Sequence, residues 1–228
     1  MASPIRIISS MATKQVLADL IALYQQGAVI ELESVGGVDA AKRVQAGEAF
    51  DIVALASNAV AQLTTDGKVV AGSTVDVVRS GVALAVRSGA PHPDIASEAA
   101  VKQAVLAART LGYSTGPSGV QLAKLFERWG IAEQIKDRIV TAPPGVPVGS
   151  LVAQGEVELG FQQLSELMSL EGIDVLGPLP ADIQIITTFS AGLATASTQP
   201  DAVRALLAFL VSPATAPTKQ RNGMEAAG

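Results

Sequence analysis

Four short segments hold most of the polar chemistry of this chain: Ser9–Thr13 (SSMAT), Val35–Asp39 (VGGVD), Ser114–Gly119 (STGPSG) and Pro143–Gly149 (PPGVPVG). Each combines hydroxyls or glycines with the expected start of a helix. The first N–H groups of a helix have no partner within it, and the helix dipole adds partial positive charge there. Such starts hold anions. Ser, Thr and Asp at the same places also cap helices, so each segment alone reads either as a cap or as a ligand holder. Four of them at expected strand ends favour a ligand site, because open parallel sheets gather ligands at the carboxyl ends of their strands.

Other residues add to this set. Arg79 offers a forked charge suited to a carboxylate or oxyanion, or to a surface ion pair. Gln162 and Gln163 end an expected strand and point to opposite sides of it. His92 lies between Pro91 and Pro93, in an expected exposed turn. Phe126 and Trp129 read as core.

Several chemistries are excluded. The chain has no Cys and a single His, so thiolate catalysis, disulfides and His- or Cys-clustered metal sites are absent, and no metal or cofactor is expected. VGGVD lacks the spacing of a dinucleotide fingerprint, and no Walker pattern occurs. GPSGV departs from the G-x-S-x-G elbow, and the lone His sits apart from it in APHPD.

The elements that must position these loops alternate. Strands are expected at Ile5–Ile8, Val29–Val35, Asp51–Ala56, Gly81–Arg87, Thr110–Thr115, Arg138–Ala142, Val157–Gln163 and within Ile183–Ala196. Helices are expected at Thr13–Gln26, with Val16, Leu17, Leu20 and Leu23 on one face, and at Asp39–Gly47, Asn58–Gly67, Ser97–Ala108, Gly119–Gly130, Pro147–Gly155 and Asp201–Ser212. This alternation predicts an α/β fold with mostly parallel sheets. Two long extended stretches, around Arg79–Val82 and within Ile185–Ala194, predict two lobes joined by two crossovers: 1–80 with 190–228, and 81–189. The polar tail from Pro213 is expected to pack loosely.

At 228 residues and 49% hydrophobic content, with 16% charged, the chain has ample core for such a fold. A net charge of −5 leaves no footprint for nucleic acid. No apolar run is long enough for membrane insertion. MASPIRIISS has no basic region followed by an apolar stretch and a cleavage site. The chain is thus expected to be cytoplasmic if Met1 is native, and periplasmic if a signal peptide has been removed.

The order of SS after the first strand, AGEAFDIVALAS, GVALAVRSGAP, STGPSG, PPGVPVGSLVAQGEVELGFQQLSEL and GPLP resembles the periplasmic molybdate-binding proteins and their relatives. These are solute-binding proteins of ABC importers with the type II periplasmic-binding fold. The resemblance runs from about Ile5 to Met224. It implies an α/β fold of two lobes, each with a mostly parallel sheet, two crossover strands, and an anion held between the lobes. The family's first serine corresponds to Ser9 or Ser10. Its second falls on Gly37, which keeps an amide but no hydroxyl. A loop position gains a hydroxyl at Ser118, the loop before VPVG aligns at Gly145 or Val146, and a tyrosine becomes Gln163. GFQQLSEL with GPLP is similar to the branch that includes aconitate isomerase.

The resulting expectation is a binding protein that closes by hinge motion on a small anion, a molybdate-like oxyanion or a small carboxylate. The ligand set is Ser9, Ser10, Gly36, Gly37, Arg79, Ser118, Gly119, Gly145, Val146 and Gln163, with an ABC importer as partner if the protein is exported. The alternative is an aconitate isomerase-like enzyme that moves a proton along an allylic polycarboxylate. Glu166 and His92 are the candidates for its base by chemistry alone.

Overall fold

A computed structural model describes residues 3–24, 27–143 and 145–227. The first of two units runs to Ser80 and resumes at Thr187, and the second is Gly81–Ile186. In chain order the first unit opens with β1 (Ile5–Ser10), α1 (Lys14–Leu23), β2 (Ile30–Val35), α2 (Gly37–Gln45), β3 (Ile52–Ala56) and α3 (Ser57–Thr65). The long strand β4 (Val75–Arg87) leads into the second unit. There follow α4 (Glu98–Ala107), β5 (Leu111–Tyr113), α5 (Pro117–Arg128), α6 (Ala132–Ile135), β6 (Ile139–Thr141), α7 (Val148–Gln154), β7 (Leu159–Gln163), α8 (Leu164–Leu167) and β8 (Ile173–Pro178). Strand β9 (Ile186–Leu193) returns to the first unit, which ends in α9 (Pro200–Leu210), α10 (Ala216–Arg221) and β10 (Glu225–Ala226).

In the first unit β1 lies between β2 and β3, parallel to both, with Ile7 opposite Leu32 and Ile52. Parallel neighbours need a crossover, and α1 and α2 supply it. Strand β3 is buried along its whole length, as a strand covered on both faces must be. Beyond it β9 runs antiparallel, with Ala54 opposite Ala191. Val16, Leu17 and Leu20 of α1 pack on this sheet with Val203, Leu206, Leu207 and Leu210 of α9.

The second unit repeats the plan. Strand β5 lies between β6 and β7, parallel to both. Strand β4 runs antiparallel to β7 and β8. Its core joins Val101 and Val105 of α4, Leu122 and Phe126 of α5, and Phe161 of β7. Each unit thus has three parallel strands at its centre and antiparallel strands beside them, the α/β class expected, with β4 and β9 as the two crossover strands.

Several local expectations need correction. Leu23, expected on the buried face of α1, is 46% exposed, because it is the last residue of the helix and the sheet no longer lies beneath it. The end of that expected helix, Gln25–Gln26, lies outside the described residues. Helix α5 starts at Pro117, two residues before the expected Gly119, since proline suits the first helical position. The tail does not pack loosely. Thr215, Thr218 and Met224 are buried, and Lys219 is 1% exposed, its aliphatic stem filling space that an apolar residue would otherwise take. Burial pushes the Lys219 amine below its usual pKa. Phe126 is core as expected, whereas Trp129 is partly buried and donates its indole N–H to Glu98.

Candidate functional site

Three parallel strands that share a register end at one edge of their sheet. In the first unit Ser10 is opposite Val35 and Ser9 opposite Ala54, so the loops after β1, β2 and β3 meet at that edge. Ser9 is buried, and its Oγ lies 2.7 Å from Ser34 Oγ on β2. Ser10 begins a short 3-10 turn, with its Oγ 3.3 Å from Thr13 Oγ1. Gly36 precedes α2 and Gly37 is its first residue. A Cβ placed on Gly37 would stand 3.6 Å from Ser10 Cβ. The structure therefore brings Ser9, Ser10, Gly36 and Gly37 together.

Arg79 is elsewhere. It lies on β4 opposite Glu225 of β10, and its Nη2 donates to the Ala227 carbonyl at 2.5 Å. Within this unit its guanidinium ties down the C-terminal segment and is not engaged by the serine loop.

In the second unit Tyr113 is opposite both Thr141 and Phe161, so the loops after β5, β6 and β7 again share one edge. Ser118 is the second residue of α5 and is 7% exposed, yet no described residue hydrogen-bonds its hydroxyl. Gly119 follows. A Cβ there would fall 1.6 Å from the Ser114 carbonyl oxygen, so the loop folds over the start of α5 only because position 119 has no side chain. Gly145 takes a left-handed turn with φ +79°, and the Val146 N–H donates to Pro143 O at 3.0 Å. Pro144 of this loop lies outside the described residues. Gln163 is buried at the start of α8. Ser118, Gly119, Gly145, Val146 and Gln163 thus fall on loops of one edge.

The six elements that start at these strand ends are the turn leading into α1, and α2, α3, α5, α7 and α8. In none does the residue preceding the helix cap it through its side chain. By contrast Ser97, preceding α4, accepts from the Ala100 N–H at 3.2 Å in the ordinary capping manner. The serines of the edge loops are not employed as that serine is.

Sequence reasoning placed Gln162 at a strand end, pointing to the side opposite Gln163, and gave Glu166 no position. Gln162 is buried, and its Oε1 accepts from the Gly149 N–H at 3.0 Å, in the first turn of α7. That bond fixes the orientation of the Gln162 amide. Burial pushes the Glu166 carboxyl up to about 7, with the Gln162 bond opposing part of the rise. Tyr113, at the end of β5, is raised by burial as well. The available signal was spacing: Gln162 and Glu166 are four residues apart across a strand end, but nothing in that spacing announces burial. His92 is exposed, with Nε2 3.1 Å from Asp174 Oδ2.

Among the described residues no cluster of His, Asp or Glu could hold a metal ion, and no helix is long and apolar enough to cross a membrane.

With this geometry in place, three known proteins are informative. Over 229 residues the chain is 35% identical to an aconitate isomerase from a Pseudomonas species, covering 96% of this chain and 86% of that protein. The periplasmic molybdate-binding protein of Azotobacter vinelandii superposes with a TM-score of 0.81 at 16% identity, covering 98% of this chain and 100% of that one. The sulfate-binding protein SubI of Mycobacterium tuberculosis H37Rv gives 0.81 at 14% identity, covering 99% and 88%. The two superpositions establish the periplasmic-binding-protein fold. The family model of the bacterial extracellular solute-binding proteins matches residues 5–225, and the chain belongs to that family.

Proposed function

We propose that this protein binds a small anion, an oxyanion or a small carboxylate, through the helix starts at the carboxyl ends of its parallel strands. The observation that carries the reading is the absence of side-chain caps at those six starts. Apart from the Gly149 N–H of α7, which Gln162 takes, this reading gives their N–H groups to a ligand, and the hydroxyls beside them are neutral donors that stabilise an anion without a full countercharge. Ser9, Ser10, Gly36 and Gly37 are the donors of the first unit. Ser118, Gly119, Gly145, Val146 and Gln163 are those of the second. Ser118, in the first turn of α5 with no described hydrogen-bond partner for its hydroxyl, is the second-unit donor this reading relies on most. Closure of two lobes on the ligand is the mechanism that goes with the reading, and an ABC importer is the partner it implies for an exported protein. Thermal unfolding with molybdate, tungstate, sulfate, phosphate, citrate and both aconitate isomers is the test. A true ligand raises the midpoint with concentration by mass action. No response to any of these anions would end the reading.

The second reading is an isomerase, favoured by the 35% identity to an aconitate isomerase and by a carboxyl at the strand edge that titrates near neutrality. In that reaction a base removes a proton from the methylene carbon of an allylic polycarboxylate. The electron pair of that C–H bond becomes the new double bond to the central carbon. The old double bond's pair takes the proton at the former vinyl carbon, so no oxidant or reductant is needed. Glu166 is the base of this reading, since a catalytic carboxyl works best near the operating pH. NMR of trans-aconitate incubated with the protein checks it. Protein-dependent formation of the cis isomer supports turnover, and binding without isomer formation leaves the protein a binder.

A further inference from the structure

We propose that the C-terminal segment, residues 213–227, is a strap poised to open, because it docks on the first unit with the amine of Lys219 enclosed and unpartnered. Docking is opposed while that amine is charged and reinforced once it is neutral. The proposal concerns the first unit alone and stands apart from the anion-binding reading.

The strap docks through a short ladder and side-chain bonds. Strand β10 pairs with β4, Glu225 opposite Arg79 and Ala226 opposite Val78. Arg79 Nη2 donates to the Ala227 carbonyl, and Asn222 Nδ2 donates to Asp19 Oδ2 of α1 at 2.9 Å. Met224 is the segment's large apolar side chain, 2% exposed in the core of the first unit. The rest, PATAPTKQRNG and EAA, is small or polar. Apolar burial therefore holds this segment less firmly than α9, which places Val203, Leu206, Leu207 and Leu210 in the same core.

Two polar groups stand against these contacts. Lys219 is 1% exposed, and no described residue accepts from its ammonium. Ser212, at the root of the strap, takes the Thr215 hydroxyl on its carbonyl at 2.6 Å, but its own Oγ is buried without a hydrogen-bond partner. An amine withdrawn from water with no acceptor disfavours its charged form, and an unbonded buried hydroxyl is costly as well. The amine's cost vanishes once the segment lifts into water.

The charged groups of the surrounding elements are engaged elsewhere or lie at the surface. On α1, Asp19 accepts from Asn222 and Gln15, and Lys14 is exposed. On β4, Asp76 accepts from the Ser190 hydroxyl at 2.6 Å, and Arg79 is given to Ala227. On α9, Asp201 pairs with Arg204. The 3-10 turn Pro213–Thr215 carries no charge. On β10, Glu225 is exposed. On α10 itself, Arg221 Nη2 donates to Thr218 Oγ1 at 2.9 Å. None of them is bonded to Lys219.

Charge sets the direction of the effect. Docked, the amine titrates below its usual 10.5, with burial as the cause, and in the open strap it returns to that value. Between the two values the docked state binds fewer protons, so docking strengthens as pH rises through that window. The limit is about tenfold per pH unit for one proton. Below the window the amine is charged in both states, and docking is at its weakest. Opening frees the edge of β4 at Val78 and Arg79, which β10 otherwise covers.

The test is limited trypsin digestion of the full chain from about pH 7.5 to about pH 10, following the cut after Arg221 by mass. Arg221 lies in α10, and the protease needs that helix unwound, so the rate tracks the population of the open strap. Each rate is divided by that of a free peptide of matching sequence over residues 213–227, which removes the protease's own pH dependence. The expected result is a relative rate that falls as pH rises, by up to about tenfold per unit. In Lys219→Met it should be about tenfold lower at the start of the range and flat across it. The wild-type profile stands without the variant, should it fold poorly. A flat profile in the wild type overturns the proposal, as does a fall that persists in a folded Lys219→Met. Cutting after Arg221 that appears only with digestion of the whole chain overturns it too, since the strap would then not open by itself.

Discussion

Gly119 shows how one absent carbon fixes a site. The Ser114 carbonyl occupies the place of its Cβ, 1.6 Å from where that atom would be, so the obstacle is backbone and cannot rotate aside. Gly119→Ala is expected to destabilise the second unit by about 3 kcal/mol, toward the upper end for overpacking, measured by urea unfolding. Unchanged stability would mean that the loop relaxes freely. Glu166 allows a second prediction, with its sign set by burial. The folded protein keeps this carboxyl protonated up to about 7, whereas the unfolded chain releases the proton at the usual 4.5. Between these values the folded state binds more protons, so stability falls as pH rises through the window, by about 3 kcal/mol at most. Glu166→Gln should flatten this decline and be the more stable protein above pH 7. Chemical denaturation at intervals from pH 5 to pH 8.5 checks it, and parallel curves for the two proteins would refute it. Ser118 and Gly119 stood out in the sequence as candidates, because hydroxyls and glycines at a helix start either cap it or hold a ligand. The titration of Glu166 was not, because it arises from packing between α7 and α8, which no local pattern encodes.

At the scale of elements, capping separates two kinds of serine. Ser97 accepts from the Ala100 N–H and caps α4, whereas Ser118 lies inside the first turn of α5, with Gly116 before the helix and Pro117 opening it. Ser97→Ala is therefore expected to cost about 1 kcal/mol of stability. Ser118→Ala should cost little stability, but it should weaken anion affinity about tenfold or more, the worth of a hydrogen bond to a charged group. Melting and titration of both variants give the comparison. Equal stability losses, with anion affinity intact in Ser118→Ala, would make Ser118 structural and remove it from the site. Most helices and strands were legible from the sequence, since period 3.6 and buried β-branched runs are strong local signals. Helix α8 and strand β8 were not. Four residues of helix after Gln163 carry no periodicity, and β8 has only intermediate and exposed positions, so its pairing with β4 is set by tertiary contact. The tail was misjudged for a related reason. Its Thr and Lys side chains look solvated in sequence, but α10 packs near α1, and Asn222 bonds Asp19 there.

The whole molecule is a continuous unit inserted into a discontinuous one. The second unit closes its core within a single stretch, from Val82 to Ile183. The first does not. Its sheet places β9 between β3 and β4, and its core needs Phe189, Leu193, Val203, Leu206, Leu207, Leu210 and Met224 as much as Ile5, Ile7, Leu17 and Ile52. This is why two extended stretches stand out in the sequence, since the chain must leave the first unit and come back. Gln184 clips the place of return. Its Oε1 accepts from the Val82 N–H at 3.0 Å and from the Ile185 N–H at 2.8 Å, and a Cβ on Gly81 would stand 3.0 Å from its Nε2. All these contacts lie inside Gly81–Ile186. The unequal dependence predicts unequal fragments. A chain of residues 81–186 is expected to fold alone, with mixed helix and strand in circular dichroism and a single cooperative urea transition. A chain of residues 1–80 lacks β9, α9 and the tail, leaves β3 as a bare apolar edge, and should show no cooperative transition. If 1–80 unfolds cooperatively, or 81–186 does not, the division of the core between the units is not the division of stability.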